Sequence, residues 1–189
     1  MLIKNPVYII QDILKNVVVE GETVVDATCG NGYDTVFLAQ LTGEKGKVFA
    51  FDIQEQAIER TKERLKNAGL QDRVTLLLEG HQQMDLFVTK PIACAMFNLG
   101  FLPGSDHKIQ TNWPDTVIAM TKALHLLKKG GLLTVIIYYG KDTGYVERDK
   151  VLTFLAELDT NKYNVMKLDY LNRMNDPPIP VIIEKTYEI

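Results

Sequence analysis

The stretch Thr23–Ala39, TVVDATCGNGYDTVFLA, constrains this chain more than any other. The β-branched run Thr23-Val24-Val25 reads as a short buried strand, closed by Asp26. A turn built on Gly30 and Gly32 follows. From Tyr33 onward, Val36, Phe37, Leu38 and Leu41 predict a helix packed on a sheet. Strand, glycine turn and helix make the first half of a nucleotide-binding βαβ unit. Glycine lets the backbone approach a ligand with no Cβ in the way, and the helix N-terminus beyond offers unpaired N–H groups. The same dipeptide spacing also occurs in ordinary tight turns.

The second half of the unit strengthens the first. Lys47–Phe51, KVFAF, is another short strand and ends in Asp52, twenty residues after Gly32. There an acid can hydrogen-bond a ribose hydroxyl pair; it can equally cap the next helix. A dinucleotide fingerprint wants a third glycine where this chain has Thr35. The pattern Asp26-x-x-x-Gly30-x-Gly32 instead resembles motif I of the class I S-adenosyl-L-methionine (SAM) methyltransferases. That resemblance implies that Asp26 helps position the methionine end of the cofactor.

The rest of the chain continues the alternation. Helices are predicted over Pro6–Val18, Gln54–Ala68, Met84–Val88, Pro114–Leu127 and Val146–Leu158. Gly69 ends the second of these and Gly130-Gly131 breaks the fourth. Ile58, Thr61, Leu65 and Ala68 form the inward stripe of the second. Strands are predicted over Arg73–Leu78, Ile92–Phe97 (ending at Asn98), Leu132–Tyr139, Asn164–Leu171 and Val181–Tyr187. Alternation implies a mostly parallel sheet covered on both faces, and the closing pair of strands implies one antiparallel strand. We expect a Rossmann-like α/β fold in one domain, residues 1–189, with seven strands in the class I methyltransferase order 3-2-1-4-5-7-6. A dehydrogenase sheet usually lacks the reversed hairpin.

Composition excludes several classes. The 21 basic and 24 acidic residues give a formal charge of −3, which advertises no nucleic-acid partner but leaves room for a local basic face. The two cysteines, Cys29 and Cys94, and the three histidines lack metal-ligand spacing. No apolar run reaches the roughly 18 residues of a membrane helix, and Pro6, Gln11, Asp12 and Lys15 interrupt any signal-peptide pattern. A cytoplasmic protein is expected; a homodimer stays open.

In open α/β sheets ligands bind beyond the carboxyl ends of the strands. This selects Asp26, Thr28, Cys29, Gly30, Asn31, Gly32, Asp34 and Thr35 in the first turn, Asp52, Ile53 and Gln54 in the second, Gly80, His81 and Gln82 in the third, and Asn98, Leu99 and Gly100 in the fourth. Gly80-His81-Gln82 would edge an adenine; the His81 ring could instead only bond its loop. Asn98 offers a carboxamide to an amine, or caps a turn. Asp106 and His107 offer a carboxylate and an imidazole able to take a proton, or form a self-stabilised surface loop. Phe101, Trp113, Tyr138 and Tyr139 could stack on a base, with core packing the expected role of Trp113 and Tyr138. Lys108, Lys141, Arg148 and Arg173 are candidate phosphate contacts.

DATCGNGYDTVFLA, AFDIQEQAIERTKERL, EGHQQM, NLGFLPGSDHKI, YYGKDTGY and NRMNDPPIP together resemble the bacterial rRNA methylase-like family, over nearly the whole chain. Characterised members, called MnmM, are tRNA methyltransferases that methylate the amine of 5-aminomethyl-2-thiouridine at the anticodon wobble position. The resemblance implies that Asn31, Asp34, Asp52, Gln54, His81 and Gln82 hold SAM, and that Asn98, Asp106 and His107 face the uridine amine. The alternatives are an rRNA or small-molecule amine methyltransferase, a non-catalytic SAM-binding module, and an NAD dehydrogenase.

Overall fold

The computed structural model describes residues 5–102, 110–140 and 144–188. Seven strands form one sheet: β1 (Thr23–Asp26), β2 (Lys47–Asp52), β3 (Val74–Leu78), β4 (Ile92–Leu99), β5 (Leu127–Ile137), β6 (Tyr163–Lys167) and β7 (Ile179–Lys185). Their order is β3-β2-β1-β4-β5-β7-β6, the class I methyltransferase order expected from the resemblance. The first five pair in parallel; β7 runs antiparallel to both β5 and β6.

Helices α1 (Pro6–Leu14), α2 (Tyr33–Leu41) and α3 (Glu55–Ala68) cover one face of the sheet; α4 (Trp113–Leu126) and α5 (Tyr145–Ala156) cover the other. Adjacent strand residues serve opposite layers. Val24, Cys94 and Met96 pack with Ile10, Leu38 and Leu65, whereas Val25, Ala95 and Phe97 pack with Met120 and Val151. That is why the central strands are apolar at every position rather than at every second one. Both cysteines are buried free thiols.

Several boundaries differ from the expected ones. Helix α1 stops at Leu14, and a turn carries Val18 back into the core. The buried stripe of α3 is Ala57-Thr61-Leu65, at four-residue spacing, leaving Ala68 exposed beside the left-handed cap Gly69. The short helix after β3 is a 3-10 turn over His81–Leu86, three residues earlier than expected. Strand β4 runs on through Asn98 and Leu99, which still pair with Ile136 and Ile137.

The pair Gly130-Gly131 does not break α4, which ends at Leu126. It sits inside β5, where the register jumps from Ile92↔Leu127 to Cys94↔Leu132, so the glycines form a bulge. Gly130 has φ +74° there. Strand β5 then stops at Ile137, short of Tyr138-Tyr139; β6 starts one residue early and ends four residues short of Leu171, and β7 lies two residues earlier than expected. Trp113 and Tyr138 are not core residues: 40% and 39% exposed, they stand at the start of α4 and beyond the end of β5.

The glycine turn packs directly on α3. Gly32 has φ +79°, and a Cβ there would meet Thr61 Oγ1 at 2.8 Å and Thr61 Cα at 2.9 Å. Both the conformation and the space exclude a side chain. Gly32→Ala therefore destabilises the fold by roughly 2–4 kcal/mol. Thermal unfolding is expected to show a midpoint lower by several degrees; an unchanged midpoint would contradict this packing.

Candidate functional site

The strand tips β1, β2 and β4 surround a cleft holding about 780 Å³ of empty space, its open mouth included. One wall is the first turn. Gly30, at φ +51°, donates its N–H to Asp52 Oδ2 (3.0 Å), tying the tip of β1 to that of β2. Asp52 Oδ1 accepts from Gln54 N (2.9 Å), so this acid also begins the turn into α3. Each carboxylate oxygen keeps a further lone pair for a ligand. Thr61 Oγ1 donates to the Gly30 carbonyl at 3.1 Å, and the Arg64 side chain donates to the Asn31 carbonyl at 2.7 Å.

The second wall is the turn after β3. His81 Nδ1 donates to the Ala27 carbonyl (3.0 Å), and the ring leans on Phe97. Burial pushes its pKa down, so the ring stays neutral with the proton on Nδ1 and serves as a wall. Lys122 of α4 holds this turn from behind, donating to the Gln82 carbonyl and to Asp85, each at 2.6 Å.

The third wall combines β4 and α4. Asn98 takes its place through its backbone N–H, donated to Thr28 Oγ1 at 2.7 Å. Thr111 accepts from Gly100 N (2.9 Å) and donates to the buried Glu147 of α5 (2.6 Å); Thr116 also donates to Glu147 (2.9 Å). Burial raises the pKa of Glu147, and the two hydroxyls oppose that shift.

Among the predicted residues, Thr28, Gly30, Asp52, Ile53, Gln54, Gly80, His81, Gln82, Asn98 and Gly100 line the cleft. Asp26, Cys29, Gly32, Thr35 and Leu99 are buried behind its walls, and Asn31 and Asp34 are only partly exposed outside its lining. Asp106, His107, Lys108 and Lys141 lie outside the described residues. The sequence reading missed Gln110, Thr111, Asn112 and Asp115, which also line the cleft. Their signal was the helix start itself: Asn112 caps α4 by accepting from Asp115 N, with Pro114 in the first turn. Arg148 lies over Tyr139 and Tyr145, and Arg173 over Tyr170.

Asp26, Asp34 and Asp52 cluster at the tips, and none of them forms an ion pair among the described residues. Burial raises all three pKa values. Asp26 is fully buried and is pushed up to about 7, first by desolvation and then by the field of Asp34. Hydrogen bonds from Thr35 Oγ1 (2.6 Å) and Thr28 N (3.2 Å) hold it. Such a set favours a cationic ligand, and apolar Ala27, Ile53 and Leu102 beside it suit a flat ring.

A cleft at the carboxyl end of a 3-2-1-4-5-7-6 sheet is the architecture of the class I SAM-dependent methyltransferase fold. The family model described as "Putative rRNA methylase" matches residues 48–184, and the chain belongs to that family. A curated relative, the chloroplastic tRNA (mnm(5)s(2)U34)-methyltransferase of Arabidopsis thaliana, is 36% identical over 179 residues, 89% of this chain. This chain spans 64% of that relative's length. A crystal structure of a "putative rRNA-methylase" from Clostridium thermocellum superposes with a TM-score of 0.94 at 52% identity, covering 96% of this chain and 97% of that one. A "putative methyltransferase" from Streptococcus mutans, solved in complex with SAH, gives 0.88 at 42% identity, covering 96% and 98%. Among the described residues, no helix is long and apolar enough to cross a membrane, and no group of His, Cys, Asp and Glu has metal-site geometry.

The raised pKa of Asp26 carries a stability consequence. Between about pH 4 and 7 the folded chain holds a proton that the unfolded chain has lost, so stability falls as pH rises through that window. A shift from 3.8 to about 7 corresponds to about 4 kcal/mol in full. Asp26→Asn is expected to flatten the slope of denaturant midpoints between pH 4.5 and 8; an unaltered slope would refute the assignment.

Proposed function

We propose that this protein is an RNA methyltransferase that methylates the amine of 5-aminomethyl-2-thiouridine at the wobble position of tRNA. The observation that carries this reading is its 36% identity, over 89% of the chain, to a plant enzyme named for that nucleotide. The acceptor wall supports it: Asn98 stands at the cleft with Phe101, Gln110 and Thr111 beside it. We further propose that residues 1–189 form a single methyltransferase domain acting in the cytoplasm.

Bound SAM supplies an electrophilic methyl group on a sulfonium centre. The residues of this chain do the rest. Asp52, at the tip of β2, accepts from the ribose hydroxyls, as its position twenty residues beyond Gly32 implies. Gly80, His81, Gln82 and Ile53 flank the adenine, and Gly30 leaves room for the backbone to approach. The carboxylate cluster stabilises the positive charge. Asn98 aligns the acceptor amine, and alignment is the main demand of an in-line displacement. The amine must give up a proton; Asp106 and His107 are the proposed takers.

The family description favours rRNA as a second acceptor class. Incubation with labelled SAM, total tRNA lacking the modification and total rRNA separates the two. Label in tRNA is expected; label in rRNA alone would overturn the tRNA reading. Calorimetry is expected to show SAM binding without NAD binding. Asp52→Ala is expected to weaken SAM roughly 10- to 100-fold, the loss of hydrogen bonds to a charged group. Unchanged SAM affinity would remove Asp52 from the cofactor site.

A further inference from the structure

We infer that Gln11 and Asp34 are positioning residues that fix the carboxamide of Asn98 with its oxygen toward the cleft, so that the site selects an acceptor bearing an N–H. Asp34, at the start of α2, is partly buried and bonded on both oxygens. Its Oδ1 accepts from Gln11 Nε2 of α1 at 2.8 Å, and its Oδ2 accepts from Asn98 Nδ2 at 2.8 Å. A carboxylate only accepts, so each amide must turn its NH2 end toward Asp34. For Asn98 this settles which end of the side chain is left over.

The left-over end is Oδ1. Among the described residues no donor reaches it, and no buried side-chain nitrogen or oxygen lacks a partner. The oxygen is therefore open to solvent, on a residue that lines the cleft. The backbone of Asn98 is pinned as well, by Thr28 on one side and by its pairing with Ile136 on the other. An oxygen held this way accepts from an amine N–H and leaves the nitrogen lone pair free. Gln11 completes the link, and its helix is anchored in the core by Ile10 and Leu14. Asp34 is thereby assigned to orienting Asn98 rather than to holding the cofactor.

The inference rests on the amine-acceptor reading, and the following experiment separates the two. Turnover at saturating SAM and tRNA is expected to fall roughly 10- to 100-fold in Asp34→Asn, which can present either a donor or an acceptor to Asn98. A smaller fall is expected in Gln11→Met. In Gln11→Met SAM affinity by calorimetry should stay within about twofold, as expected for a group that does not touch the cofactor; in Asp34→Asn, which also removes a charge from the acid cluster, turnover should fall well beyond any fall in SAM affinity. In an Asn98→Ala background, Asp34→Asn should cause no further loss, since it acts only through Asn98. Unchanged turnover, SAM affinity falling in step, or an additive double variant would each overturn the inference. If the wild-type protein labels no tRNA, the RNA reading fails, yet the link is still decided by proton exchange of the Asn98 side-chain amide in nuclear magnetic resonance. Slow exchange in wild type and faster exchange in Asp34→Asn are expected; equal exchange would overturn the link.

Discussion

The backbone bond from Gly30 N–H to Asp52 Oδ2 is the constraint on which the site depends. It crosses from the end of β1 to the end of β2, so the two strand tips cannot separate. The turn reaches Asp52 only because Gly30 and Gly32 both adopt positive φ, a conformation that costs other residues roughly 1–2 kcal/mol each. The close approach of Gly32 to Thr61 then locks the same turn against α3. One acid thus shapes the loop that faces the ligand and remains available to the ligand itself. Site geometry and fold stability are not separable here.

The carboxylates work against the fold. Burial raises the pKa of all three acids, and the fields of Asp34 and Asp52 raise that of Asp26 further, so each ionised form costs stability. The structure limits that cost with hydrogen bonds from Thr28, Thr35, Gln11, Gln54 and Asn98. Among the described residues, no lysine or arginine forms an ion pair with these acids. The nearby cations of α3 are turned elsewhere: the side chains of Arg60 and Arg64 donate to the oxygens of Asn31, and Arg64 covers Tyr33. A resident cation would neutralise the pocket for good. Leaving the charge unbalanced keeps the electrostatic attraction for a cationic ligand, a trade of stability for binding seen where sites break local rules.

Much of this was legible in the sequence, and the residues show why the rest was not. Alternation pointed to a mostly parallel sheet and the closing strand pair to one antiparallel strand, while the strand order itself came from the resemblance to the class I methyltransferase sheet. The glycine turn and Asp52 were visible because their spacing is local and chemical. Gly130-Gly131 misled: a glycine pair marks a helix stop and a strand bulge with the same letters, and only the pairing of Leu127 with Ile92 distinguishes them. Trp113 reads as core by size, yet it stands in the first turn of α4 and is 40% exposed. The partnership of Thr111 with Glu147 spans 36 residues and has no local signature.

The two halves of the cleft are built on different principles. The half beneath β1 and β2 is made by backbone: left-handed glycines, turn N–H groups and an acid that bonds them. Its shape is set by main-chain geometry, which a short motif can specify. The half beneath β4 and α4 is made by side chains that reach across the fold. Lys122 reaches the Gln82 carbonyl, Glu147 holds Thr111 and Thr116, and Asp34 holds Asn98. Each of these contacts joins segments at least 30 residues apart in the chain. A motif-built half can stay constant while the tethered half is retuned one side chain at a time. On the proposed reading, the first half carries most of the cofactor contacts and Asn98, in the second, faces the acceptor. The division also explains why the first half could be traced from sequence spacing while the second needed the folded chain.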